Sequence, residues 1–136
     1  MSQRSRATTW LAQAANDVAH ARHAYHGGFY SQACYGAQQA VEKALKALLL
    51  HAGEDIGRTH SIVGLRKALR VAGVEIPEEV LSLQTAQELT RLNIETRYPL
   101  GDGEDAPFEL FGDAQAKSSI DCAGRVVELA KNVVPQ

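Results

Sequence analysis

Cysteine is scarce: Cys34 and Cys122 are the only two in 136 residues, and they lie far apart. That spacing excludes a zinc knuckle or a Cys-x-x-Cys redox pair. Two isolated thiols serving as small apolar side chains suit a reducing compartment, so a cytoplasmic location is expected. Neither is expected to have a basic neighbour at helical contact spacing that would activate it. A long hydrophobic run is also missing. The strongest apolar stretch, Ala44 to Leu50, is interrupted by Lys46 and is much shorter than the ~20 residues a membrane-spanning helix needs, so no membrane association is expected. The N-terminal MSQRSRATTW leads into polar residues rather than an apolar segment, unlike a signal peptide. Excess charge of one sign is absent: the formal net charge of −2 excludes wholesale coating of nucleic acid, while leaving room for a local basic patch that binds phosphate. Gly-x-Ser-x-Gly, Walker and Gly-x-Gly-x-x-Gly patterns do not occur, which removes the familiar sequence signs of a serine nucleophile or a nucleoside-phosphate loop.

What is present is ordinary for a folded soluble domain: 45% hydrophobic and 22% charged residues. The length suits one core. With no repeat, low-complexity tract or dividing linker, a single domain over residues 1–136 is expected, its core at about 8–133.

Apolar residues recur at helical intervals along most of the chain. Leu11, Ala14, Ala15, Val18, Ala21 and Tyr25 mark a first helix from Thr8 or Thr9 to His26, with Thr9 as cap and Gly27-Gly28 as stop. A second helix runs from Tyr30 to Ala52 with Cys34, Ala37, Val41, Ala44, Leu45, Leu48 and Leu49 inward. Its small residues Ala33, Ala37, Ala40 and Ala44 allow close approach to a neighbour. A third, from Ser61 to Ala72, turns Ile62, Leu65 and Leu69 inward. Pro77 suits a first helical turn, so a fourth helix is expected from there, burying Val80, Leu81, Leu83, Ala86, Leu89 and Ile94. Residues 101–112 read as a loop anchored by Phe108 and Phe111. A last helix from Asp113 to Val133 follows, with Ala116, Ile120, Ala123, Val127, Ala130 and Val134 inward. No segment alternates as a strand does. The fold class expected is all-α: an antiparallel up-and-down bundle of four long helices plus a shorter fifth.

The polar residues admit more than one reading. Glu42 and Lys46, four apart in the favourable order, form a surface pair worth roughly 0.3–0.5 kcal/mol on an exposed helix face. Lys43 lies beside them. Arg58, His60, Arg66, Lys67 and Arg70 follow with no acid between them. Such a run attracts phosphate, arginine adding bidentate hydrogen bonds, or it pairs with the acids at 75–79 or 104–109. His20, His23 and His26 are expected to be a solvated polar face, and no metal site is expected. Arg58 with His60 would suit metal-free nuclease chemistry, histidine moving protons and arginine stabilising developing phosphorane charge. Arg97-Tyr98-Pro99 is the other conspicuous basic site.

Gln38-Gln39 followed by Ala40-Val41-Glu42-Lys43-Ala44-Leu45-Lys46, then Arg58-Thr59-His60-Ser61, then Arg97-Tyr98-Pro99, resemble the HEPN domain family in order and spacing. The stretch from Trp10 to Asp17 is similar to the first helix of those domains, and the resemblance extends from about Thr8 to Val133. It implies a helical bundle paired into homodimers. Small members of this kind accompany a minimal nucleotidyltransferase, as its nucleotide-binding half or as one half of a toxin–antitoxin pair. Others are metal-independent ribonucleases using an arginine followed a few residues later by a histidine. No histidine follows Arg91 or Arg97 here, and Arg22 and His26 are spaced one residue short. The resemblance therefore implies a binding module without catalytic residues and without a cofactor, engaging nucleotide or RNA phosphate. Lys43, Lys46, Arg58, His60 and Arg97 would line a polar cleft, with Glu42 and Tyr98 supporting it. The alternative is a metal-independent ribonuclease toxin using His60 and Arg58. A second alternative is a structural or protein-interaction bundle, in which Arg97 caps the carbonyls ending a helix, Glu42 neutralises it, and Tyr98-Pro99 anchor the next turn.

Overall fold

The structure, a computed structural model, describes residues 5–136. It is all-helical: α1 (Arg6–His26), α2 (Tyr30–His51), α3 (Ile62–Val71), α4 (Leu83–Glu95), α5 (Pro107–Leu110) and α6 (Asp113–Val133).

Cross-helix contacts set the directions. Asp17 of α1 meets Lys43 of α2, and Ala21 lies against Gly36, so α1 and α2 are antiparallel. Thr8 donates to the Pro135 carbonyl at one end of α1, and Tyr25 donates to Asp113 at the other, which makes α6 antiparallel to α1. Arg97, just past α4, stacks on Tyr35 near the start of α2, so α4 runs against α2. The four longer helices thus run up, down, up and down, as the periodicity implies, and α3 is the shorter fifth. Thr90 of α4 fixes that fifth helix: its hydroxyl oxygen accepts from the Ile62 and Val63 amides while donating to the Ala86 carbonyl.

The core is alanine-rich where α1 meets α2, and Leu45, Leu48, Leu49, Leu65, Leu69 and Leu89 fill its wider parts. Gly36 marks a close approach of α1 and α2, since a Cβ there would lie 3.1 Å from that of Ala21.

Local chemistry moves several boundaries. Ser5, not Thr9, caps α1 by accepting from the Thr8 amide, and Thr9 bonds back to the Ser5 carbonyl. The fourth helix begins at Leu83 rather than Pro77. Pro77 starts an isolated turn, its carbonyl accepting from the Val80 and Leu81 amides, and Ser82 then caps the helix through the Thr85 amide. That shift leaves Leu83 and Ile94 exposed and puts Leu92 in the core. Within the expected loop, Pro107 opens the one-turn α5, where Glu109 accepts from the Ala106 amide. Phe111 packs on the core, but Phe108 is 69% exposed and anchors nothing.

Candidate functional site

Tyr35, Gln39, Glu42 and Lys46 recur every three or four residues, so they share one face of α2. The middle of that face is a closed polar network rather than the expected solvated surface. Glu42 and Lys46 side chains are only 4% and 5% exposed, and they pair at 3.1 Å. Packing explains the burial: α1 covers this face from one side, bringing the Trp10 ring to 5.5 Å from the Lys46 Nζ. From the other side the α2–α3 connection folds back and sets His60 Nδ1 at 3.2 Å from Glu42 Oε1. Gln38, fully buried, donates to the same oxygen at 3.3 Å and accepts from Gln39 at 2.8 Å. No buried side-chain nitrogen or oxygen among the described residues lacks a hydrogen-bond partner. This satisfies the condition under which charge is tolerated in a core.

Glu42 is therefore the hub of the site. An ionised carboxylate only accepts, so the His60 proton facing it sits on Nδ1, and Nε2 is left free of this contact. The His60 side chain is 63% exposed. Lys43 points the other way and pairs with Asp17 at 2.6 Å, while Gln13 donates to the other Asp17 oxygen at 2.9 Å.

Arg97 lies at the far end of the same face. Its Nε donates to the Asn93 carbonyl at 2.8 Å, closing the end of α4 as the capping alternative expects. Its guanidinium lies 4.7 Å from the Tyr35 ring and 5.1 Å from that of Tyr98. Glu42 does not neutralise it: that carboxylate belongs to Lys46 and His60, and Arg97 has no carboxylate partner among the described residues. Seven residues separate Tyr35 from Glu42, roughly 10 Å along the helix, so Arg97 and His60 are neighbours along one face without touching. Arg58 is exposed and has no hydrogen-bond or ion-pair partner among the described residues.

The remaining charges on α3 take the acid-pairing alternative. Arg66 bonds Glu78 and the Leu81 carbonyl, and Arg70 pairs with Glu75 at 3.5 Å, leaving Lys67 as the one of the three without an ion-pair partner among the described residues. His20, His23 and His26 are exposed, and no group of three or more His, Cys, Asp or Glu able to hold a metal occurs among the described residues. Both thiols are buried and free, Cys34 4.0 Å from the Ser119 hydroxyl. Burial pushes Cys34 up to about 11. Cys122 does have a basic neighbour, Arg125 three residues on, which the sequence reading overlooked; burial nevertheless outweighs it and raises that thiol too. Neither sulfur is a poised nucleophile.

Sequence reasoning missed Trp10, Gln13, Gln38 and Tyr35 as parts of this region. Tyr35 and Gln38 were recoverable from their spacing of seven and four before Glu42. Trp10 and Gln13 needed the α1–α2 register.

A family model described as HEPN domain matches residues 7–133. The chain belongs to the HEPN domain family. Among solved structures it is 32% identical to TT1696 from Thermus thermophilus, with a TM-score of 0.83 and coverage of 96% of this chain and 100% of that one. It is 35% identical to ST0689, an archaeal HEPN homologue, with a TM-score of 0.75 and coverage of 95% and 98%. A HEPN domain protein from Thermotoga maritima is 27% identical, with a TM-score of 0.70 and coverage of 91% and 95%. No protein among those with curated descriptions matches. None of the described helices is long and apolar enough to cross a membrane.

Proposed function

We propose that this HEPN chain is a homodimeric binding module that engages nucleotide or RNA phosphate through Arg97, His60 and Arg58, and that it acts beside a minimal nucleotidyltransferase as part of a toxin–antitoxin pair. The observation that carries the reading is Arg97. Its guanidinium is held by a backbone carbonyl and two aromatic rings and meets no carboxylate among the described residues, so its outer N–H groups are presented to solvent in a fixed plane. Lys43 and Lys46, counted among the ligand-binding residues on sequence grounds, are held by Asp17 and Glu42 and become positioning residues. Tyr98, Leu100, Phe108 and Leu110 are exposed close to Arg97 in sequence, which suits a face covered by a second copy. The nucleotidyltransferase partner rests on the family likeness. Calorimetric titration with a panel of mononucleotides tests the reading: saturable heat weakened by Arg97→Ala supports it, and the absence of both heat and thermal stabilisation rejects it.

The His60–Glu42 contact favours a second reading. A carboxylate on Nδ1 orients an exposed imidazole for proton transfer, which is what a metal-independent ribonuclease needs. That role predicts RNA cleavage in the presence of chelator, abolished by His60→Ala. Intact RNA after prolonged incubation rejects it.

A further inference from the structure

We infer that the depression over Trp10 is a nucleobase subsite, one that takes an amino-bearing base of the nucleotide or RNA whose phosphate is proposed to meet His60, Arg58 and Arg97. The inference rests on that phosphate reading and adds what the base would touch. The depression holds about 260 Å³ and is lined by Thr9, Trp10, Gln13 and Lys43. That is smaller than sites for drug-sized molecules and suits one flat ring.

Its chemistry is specific. Lys46 lies over the Trp10 ring at 5.5 Å and is itself tied to Glu42, so the half-buried indole is held in place while contributing a wall to the depression. A π-face held this way is a stacking platform for a base. The rim polarity is set by bonds already made. Gln13 gives its amide N–H to Asp17, which leaves its carbonyl oxygen as an acceptor. Thr9 gives its hydroxyl proton to the Ser5 carbonyl, leaving lone pairs. Lys43 spends one N–H on Asp17 and keeps two. Two acceptors beside a donor match a ring carrying an exocyclic amine next to a ring nitrogen, as in adenine or cytosine. Continuity with the phosphate residues comes through Trp10, Lys46, Glu42 and His60, each in contact with the next.

Trp10 is the only tryptophan, so its emission reports this spot alone. The test titrates the protein with AMP, IMP and ribose 5-phosphate by calorimetry while following that emission. AMP should bind about 10-fold more tightly than ribose 5-phosphate and quench Trp10, the size expected for one stacked base. IMP, with a carbonyl in place of the amine, should bind more weakly than AMP. Trp10→Leu should erase the preference for AMP over ribose 5-phosphate, and Gln13→Ala, an exposed change with little risk to folding, should narrow the AMP–IMP difference. Equal affinities for AMP and ribose 5-phosphate, or AMP binding without quenching, would overturn the base subsite and leave the phosphate reading standing. No binding of any of the three would remove the phosphate reading, and this inference with it.

Discussion

Glu42 and His60, eighteen residues apart, meet at 3.2 Å, and the same carboxylate holds Lys46 at 3.1 Å inside the bundle. One buried acid therefore ties α2 to the connection that carries the exposed imidazole. Removing its charge should be expensive. Glu42→Gln leaves the Lys46 ammonium buried without a counter-ion and is expected to cost about 3 kcal/mol, measured by urea denaturation. Adding Lys46→Met should recover much of that loss. A Glu42→Gln variant as stable as the parent would mean that Lys46 reaches solvent.

Two glycines should respond in opposite directions to alanine. At Gly36 a new Cβ meets the Ala21 Cβ at 3.1 Å and its Cα at 3.4 Å, backbone that cannot move aside. Gly36→Ala should therefore lose about 1–2 kcal/mol despite alanine's better helix propensity. At Gly124 the neighbour is the Arg22 Nη2 at 3.2 Å, the tip of a flexible side chain. Gly124→Ala should gain about 0.5–1 kcal/mol from propensity once that tip swings away. Thermal unfolding of the pair checks both signs.

The bundle was legible in the sequence because helical periodicity is written locally: Ala116, Ile120, Ala123, Val127, Ala130 and Val134 all lie inward as their spacing requires. The Pro77 start was misread because a proline permits a first turn without sustaining a helix, and Ser82 offers the stronger cap. The site was only half legible. Glu42 and Lys46 look like a surface pair from spacing alone. Their burial comes from Trp10 and from the folded-back connection at His60, which are tertiary facts. Arg97 and Tyr35 are far apart in sequence, and no local pattern announces their stacking.

Cys34 gives a pH signature. Its folded thiol is pushed up to about 11 by burial, against 9.0 for an unperturbed one. Below pH 9 both states keep the proton and nothing is lost. As pH rises from 9 towards 11 the unfolded chain gives up its proton first, so stability falls across that window. Cys34→Ala should flatten the decline, as denaturation midpoints at several pH values would show, and native Cys34 should resist thiol reagents at neutral pH. Rapid labelling of the folded protein would contradict the burial.

Arg97 should matter for binding far more than for folding. Arg97→Ala loses one carbonyl hydrogen bond and exposed stacking, a stability change of about 1 kcal/mol or less. Arg97→Lys keeps the charge but not the planar fork, so it should restore only part of any phosphate affinity. Equal affinities for the lysine variant and the parent would show that point charge alone suffices.

The most direct measurement is the equilibrium binding of a short fluorophore-labelled single-stranded RNA at several salt concentrations, using the parent, Arg97→Ala and His60→Ala. Binding through phosphate predicts saturable association that weakens as salt rises, with lower affinity in both variants and a shallower salt dependence in Arg97→Ala, where one cationic phosphate contact is gone. The contradicting result is no saturable association even at low salt, or binding by the two variants that matches the parent in affinity and salt dependence.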